Sequence, residues 1–324
     1  MPLIVRATTP PPTDPGGGGG VELPEVGFAV ATFMDPSGTV RPLTSPELGW
    51  FTLSDGVSGL GAAPYELTTD AHPRGGARLR HVQAQPRLIV WPLHVYGSDH
   101  TEFLTRWRSL ARAFTRTVRE GPGILEIARP DGTRRRIEVV YQEGMEGRTD
   151  AEGGVLDDEA VLSLWCADPY WVDPTPLTEH RETGTLADYL VPYPSVSSGQ
   201  VLGDTTLRNP GDVGVWPTWR ITGPATGISV TNVATGESFQ LDPGLTAHGD
   251  LVAGDEVVVS TDPPGVRGPD GEGPDGDNWT GALNWPSATL WGLPPGETPV
   301  RFQLDGAGPD SSVSVTFFAR YETA

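Results

Sequence analysis

The alternation of apolar and polar residues changes period along the chain, and those changes divide it. Residues 1–20 have no core-forming pattern; half are Gly or Pro, ending in Gly16 to Gly20, which reads as a flexible arm. Val26 to Met34 is an apolar, strand-like run, and Asp35-Pro36-Ser37-Gly38 places Asp first, Pro second and Gly last, as a type I turn asks. Short candidate strands follow at Gly49 to Leu53, Ala77 to Val82 and Arg87 to Val90, with 54–76 reading as a long loop. One segment has helical period, from Asp99 to Glu120. Asp99 is the expected N-cap, with Glu102 three residues on as in a capping box. Phe103, Leu104, Trp107, Leu110, Ala111, Phe114 and Val118 recur on one face, Arg106, Arg108, Arg112, Arg116 and Arg119 mark much of the other, and Gly121-Pro122-Gly123 ends the helix. In so acidic a chain the arginine stripe reads as a solvated or partner-facing surface rather than a nucleic-acid contact.

Beyond the helix the period is that of strands. Ile124 to Ala128 and Arg135 to Tyr141 form a hairpin around Pro130-Asp131-Gly132, and Ala160 to Cys166 leads into Asp168-Pro169-Tyr170-Trp171. Residues 175–205 read as a linker. From 206 onward the candidates are Thr218 to Thr222, Ile228 to Asn232, Ser238 to Leu241, Glu256 to Ser260, Thr289 to Trp291, Val300 to Leu304 and Val313 to Tyr321, the last alternating cleanly. Short strands separated by turn signals, with no helical segment between them, predict a β-sandwich. The expected organisation is an arm (1–20), a first domain (21–174), a linker (175–205) and a second domain (206–324), mainly β with one α-helix.

Composition narrows the function. A chain of 324 residues suits about two domains, and ten Trp, nine Phe and seven Tyr supply apolar surface for two cores. All 22 basic residues are Arg. Without lysine there is no P-loop, no kinase strand lysine and no Schiff-base site for pyridoxal phosphate. The single cysteine, Cys166, excludes an internal disulfide framework and lies among Leu164, Trp165 and Ala167 as a small buried hydrophobe would. A net charge of −20 disfavours nucleic-acid backbones and anionic membranes as partners. No apolar run is long enough to span a bilayer, and no secretory signal pattern opens the sequence.

Catalytic motifs are absent: there is no G-x-S-x-G and no H-E-x-x-H, and His72, His81, His94, His100, His180 and His248 are scattered. No cofactor, metal or catalytic residue is expected. The loop Asp262 to Asp277, with Asp270, Glu272 and Asp275, holds oxygen ligands of the kind calcium takes but lacks EF-hand spacing, and reads as a solvated loop. Trp279 and Trp285 flank a loop where they could stack on a sugar; Trp291, in a strand-like segment, reads as core.

The ordered set of features resembles the siphophage distal tail protein (Dit) family, also known as phage tail family proteins, over nearly the whole chain after the arm. In the first half the likeness rests on the helix, Gly123 to Ile127, Pro130 to Arg135, and Ala167-Asp168-Pro169-Tyr170-Trp171. In the second it rests on Asn209-Pro210-Gly211-Asp212, Pro217, Ile221, Gly223, Ile228 to Asn232, and Leu290-Trp291-Gly292-Leu293-Pro294-Pro295-Gly296. The resemblance implies an N-terminal belt domain built as a tail-tube-like β-barrel or sandwich with one helix, and a C-terminal galectin-like sandwich. It implies a non-enzymatic virion protein at the distal end of the phage tail, a homohexameric ring joining the major tail tube protein to the tail-tip hub or baseplate. The tape measure protein and host cell-wall glycan are further contacts it would admit, with DNA only in transit through the channel and no membrane. The Gly-rich arm and the acidic loop depart from plainer members. Two other readings compete: a carbohydrate-binding tail module using Trp279 and Trp285, and a cell-wall hydrolase.

Overall fold

The computed structural model describes residues 30–53, 55–148, 154–182, 200–269 and 277–324, with only the backbone of 200–202. The arm, the start of the Val26 to Met34 run, much of the linker, and Asp270, Glu272 and Asp275 lie outside the described residues. The chain forms two compact units: one runs to Pro174 and takes in Tyr321–Ala324, and the other is Thr175–Arg320.

In the first unit the strands are β1 (Val30–Met34), β2 (Val40–Pro42), β3 (Trp50–Thr52), β4 (Tyr65–Ala71), β5 (Ala77–Ala84), β6 (Arg87–Tyr96), β7 (Gly123–Ala128), β8 (Arg134–Glu143), β9 (Asp157–Cys166) and β10 (Trp171–Val172). The helix α1 (His100–Glu120) lies between β6 and β7. Seven strands of a nine-stranded antiparallel sheet run in the order β2-β1-β7-β8-β9-β6-β3, with β10 paired on β8. The helix starts where its sequence says: the Glu102 N–H donates to Asp99 Oδ1 at 2.8 Å, and the Glu102 carboxylate accepts from the Ser98 N–H at 2.7 Å. Its buried side is Phe103, Trp107, Leu110, Ala113, Phe114 and Thr117, packed on one face of the sheet, with Phe114 stacked on Phe33 at 4.5 Å. Val118, expected inward, is exposed, and Thr117 takes the inward place because its hydroxyl accepts from the Tyr141 N–H at 2.8 Å. Gly123 is required where it stands, since a Cβ there would lie 2.7 Å from the Phe33 ring.

The expected turn after β1 forms, with the Gly38 N–H donating to the Asp35 carbonyl at 2.8 Å. The Asp35 carboxylate is buried and accepts from the N–H groups of Ser37 and Thr39 and from Arg41 at 2.7 Å. The expected loop 54–76 is in part the strand β4, paired with β5 as a two-stranded ribbon. Its Thr, Glu and Asp content hid the alternation.

The second unit has β11 (Leu177–Glu182), β12 (Gln200–Asn209), β13 (Thr218–Thr222), β14 (Gly227–Asn232), β15 (Ser238–Leu241), β16 (Glu256–Thr261), β17 (Pro264–Arg267), β18 (Gly296–Asp305) and β19 (Ser312–Phe317). They make a five-stranded sheet, β11-β19-β13-β16-β17, and a four-stranded one, β12-β18-β14-β15. Their inner faces meet at Trp219, whose ring stands edge-on to Phe239 at 6.1 Å and Phe302 at 5.8 Å. Three expectations change. Leu177–Glu182 and the start of Gln200–Asn209, read within the linker 175–205, belong to strands of these sheets; the first has no buried residue because it is an exposed edge. Thr289 to Trp291 is buried at Trp291 but joins no ladder. The expected strand Val313 to Tyr321 is broken, since β19 stops at Phe317 and Arg320–Tyr321 is a separate short strand, and Tyr321–Ala324, read as part of the second domain, group with the first unit.

Burial alone would raise the pKa of Asp35; hydrogen bonds from Ser37, Arg41 and the Thr39 N–H, together with the Arg41 charge, outweigh it and lower the value from 3.8 to about 2. The native carboxyl therefore binds its proton more weakly than the unfolded one, so its contribution is complete above pH 3.8 and is lost as the pH falls through about 2. Asp35→Asn is expected to lower the unfolding free energy at neutral pH by roughly 1–3 kcal/mol. In urea titrations the gap from wild type should narrow as the pH is lowered through that window.

Candidate assembly surfaces

The motif residues of the first unit build a junction. At the end of β9 the Tyr170 N–H donates to Asp168 Oδ1 at 3.2 Å, Pro169 is buried, and Trp171 fills the core as a fully buried side chain. The buried Arg87 guanidinium stands 5.9 Å from the centre of the Trp171 ring. It donates to the carbonyls of Gly59 at 2.7 Å, Gly61 at 2.5 Å and Glu322 at 2.8 Å. The same tail is held by the Ala324 N–H on the Leu60 carbonyl at 2.9 Å, by Glu322 accepting from the Ala63 N–H at 2.9 Å, and by Arg135 lying 3.8 Å over the Tyr321 ring. Tyr65, at the base of the β4–β5 ribbon, donates to Glu322 and lies 3.2 Å from the Tyr170 hydroxyl; these bonds, first that to Glu322, raise its pKa above the usual phenol value. Cys166 is buried beside this junction, and burial pushes its thiol up to about 12, where it is inert.

The second unit's motif residues are equally structural. Asn209 is buried; its amide donates to the carbonyls of Val213 at 3.0 Å and Leu293 at 3.2 Å and accepts from the Gly211 N–H at 2.9 Å. The Pro217 carbonyl accepts from Thr261, and a Cβ on Gly223 would lie 2.5 Å from the Val252 carbonyl oxygen. Trp291 packs edge-on to Trp219 at 5.2 Å, Leu293 is fully buried, and Pro295 and Gly296 are exposed at the turn into β18. The two sugar candidates separate. Trp279 is 1% exposed, with its Nε1 donating to Asp277 Oδ2 at 2.6 Å, so it has no face for a ligand. Trp285 is 55% exposed, its ring held by Nε1 donating to the Thr280 carbonyl at 2.8 Å. Among the described residues no three His, Cys, Asp or Glu side chains are grouped to hold a metal ion.

Among the described residues, two apolar surfaces of the first unit have no covering layer. The first is the β4–β5 ribbon, in which every residue but Ala84 is exposed. Leu67 is 60% and Leu79 55% exposed, with Tyr65 and Val82 also exposed. The second is the sheet face turned away from α1, where Leu88 of β6 pairs with Trp165 of β9, and Trp165 with Val140 of β8. Trp165 is 40% exposed and Val161, further along the same face of β9, 54%. Sequence reading missed both. The signal was present: Tyr65, Leu67, Thr69 and Ala71 alternate with Glu66, Thr68 and Asp70.

A half-barrel sheet carrying a single helix, continued by a β-sandwich, is the architecture of phage distal tail and baseplate hub proteins, and in fold this chain is distal-tail-protein-like. Among solved structures it is similar to the Dit protein (gp 19.1) of phage SPP1, described as a paradigm of the hub adsorption apparatus in phages infecting Gram-positive bacteria. That likeness has a TM-score of 0.61 at 17% identity, over 90% of this chain and 99% of that one. It is also similar to a chain of the phage P2 baseplate in its activated conformation, with calcium and again with strontium, at a TM-score of 0.50 and 9% identity over 92% of this chain and 100% of that one. No protein-family model matches the chain, and no curated protein does.

Arg87→Met is expected to remove the donors from three partly exposed carbonyls, of Gly59, Gly61 and Glu322, and to cost roughly 1–3 kcal/mol in chemical denaturation. A loss below about 1 kcal/mol would show that the junction is not what holds the tail.

Proposed function

We infer that this chain is a non-enzymatic structural protein of the distal end of a phage tail. Copies close into a hexameric ring through the first unit, acting as a belt, and the ring joins the major tail tube protein to the tail-tip hub. The observation that carries this reading is the likeness in fold to SPP1 Dit along almost the full length of both chains. The uncovered apolar surfaces of the first unit support it, because a ring is a heterologous contact closed by rotation and needs such surfaces. The second unit, read as galectin-like, lies outside the belt function. The charge of −20 fits a channel wall along which DNA slides without sticking. Negative-stain imaging of the purified chain is expected to show six-fold rings with an open channel. Particles that stay monomeric both alone and with the tail tube protein would overturn the ring.

One observation favours a second role, host glycan contact by the second unit: the exposed and rigidly held ring of Trp285. An array of bacterial wall glycans is expected to show saturable binding that Trp285→Ala abolishes and Trp216→Ala, an exposed indole elsewhere on the unit, leaves intact. Equal binding by both variants removes this role.

A further inference from the structure

The outer face of the four-stranded sheet in the second unit carries a groove of about 460 Å³. Burial alternates along its strands, so Val230, Phe239 and Phe302 fill the core while Ser229, Gln240 and Gln303 turn outward. The register sets these three side by side: Ser229 of β14 pairs with Gln240 of β15 on one flank and with Gln303 of β18 on the other. Asn284 continues the row beyond β15, its N–H donating to the Gln240 carbonyl at 3.0 Å and its Oδ1 accepting from the Gln240 N–H at 2.9 Å. Four amide or hydroxyl side chains thus stand in a line, spaced as strands are and so spread over roughly 14 Å. Beside the line the floor drops, because Gly227, the next outward position of β14, has no side chain. Asp305, paired with Gly227, and Asp242, next after Leu241, flank the drop. Both are held in place: Asp305 accepts from Gln303 Nε2 at 3.0 Å and Asp242 from the Gly244 N–H at 3.0 Å. Trp285 follows Asn284 at the end of the row, its exposed ring fixed by the Thr280 carbonyl.

We propose that this groove binds an uncharged polysaccharide, with Gln303, Ser229, Gln240 and Asn284 contacting its hydroxyls and Trp285 stacking on a sugar ring at the end of the row. The proposal rests on the glycan-contact reading above and names its site and its ligand class. Three observations select the ligand. A carboxamide offers donors and an acceptor in one plane, which suits a pair of neighbouring sugar hydroxyls, and among the described residues the Ser229 hydroxyl and the Gln240 side-chain amide have no partner within the protein. Asp242 and Asp305 accept from hydroxyls but repel an anionic polymer, and among the described residues no arginine lines the groove to offset them. A protein partner is also a poor match: among the described lining residues only Leu245 is both apolar and exposed, whereas the centre of a protein interface is apolar.

The test is a titration of the full-length chain with soluble neutral polymers (a glucan, a galactan and a mannan) and with anionic polyglycerol phosphate, alongside the array of wall glycans. Saturable binding to a neutral polymer is expected, with the same affinity at low and high salt, because the ligand carries no charge to be screened. Gln240→Ala and Ser229→Tyr, both at outward positions, should leave the circular dichroism spectrum and melting unchanged. Each should weaken binding by at least about tenfold, the first by removing a pair of hydrogen bonds and the second by filling the groove. Thr231→Ala, on the same face of β14 but outside the groove, should bind as the wild type does. Binding that Trp285→Ala abolishes and both groove variants leave intact would overturn the groove while keeping glycan contact. Binding to polyglycerol phosphate in place of the neutral polymers would overturn the proposal through its ligand class. Binding to no polymer and to no glycan of the array would remove the groove and the glycan contact together.

Discussion

An antiparallel sheet has two faces, and the first unit supplies one helix to cover them. The face under α1 is sealed by Phe103, Leu110 and Phe114 against Phe33, Ile89 and Leu164. The other keeps Leu88, Val161 and Trp165 in water, and the β4–β5 ribbon extends a further apolar strip. In the second unit two sheets cover each other's inner faces around Trp219. Each exposed apolar side chain forgoes stabilisation on the order of 1.5–3 kcal/mol that burial would give. The first unit thus carries, among the described residues, a sheet face that its helix does not cover.

The residues by which the sequence resembles distal tail proteins do packing work. Trp171 is the floor on which Arg87 rests, and Arg87 gathers the carbonyls of Gly59, Gly61 and Glu322. Asn209 stitches the loop after β12 to the stretch holding Leu293. Gly223 is small because the Val252 carbonyl passes against it. None of these arrangements leaves a reactive group poised over a cleft. What the motifs mark is a framework.

The helix was legible because a 3.6-residue period over five turns, a capping aspartate and a terminal glycine all agree. The hairpin of β7 and β8 was legible because Pro130-Asp131-Gly132 separates two alternating runs. Legibility failed where burial and backbone pattern part company. Trp291 is buried on a stretch that is part of no strand, so apolar content suggested a strand that is absent. Leu177–Glu182 is a strand with no buried residue, so polarity suggested a linker. The ribbon was lost for a related reason: strands are ordinarily recognised by a face buried within their own chain, and β4 has none. For the assembly surfaces, therefore, the sequence held the alternation but not its purpose. Trp279 and Trp285 were indistinguishable in sequence, and only packing told the buried indole from the free one.

The return of Tyr321–Ala324 to the first unit makes Thr175–Arg320 an excursion from a body that both begins and ends the described chain. Such an excursion is a cassette. Recombination that exchanged everything between Pro174 and Tyr321 would leave Arg87 with its carbonyl partner on Glu322 and the strands from β1 to β10 in place. The second unit could then be replaced as a whole while the first kept its own fold.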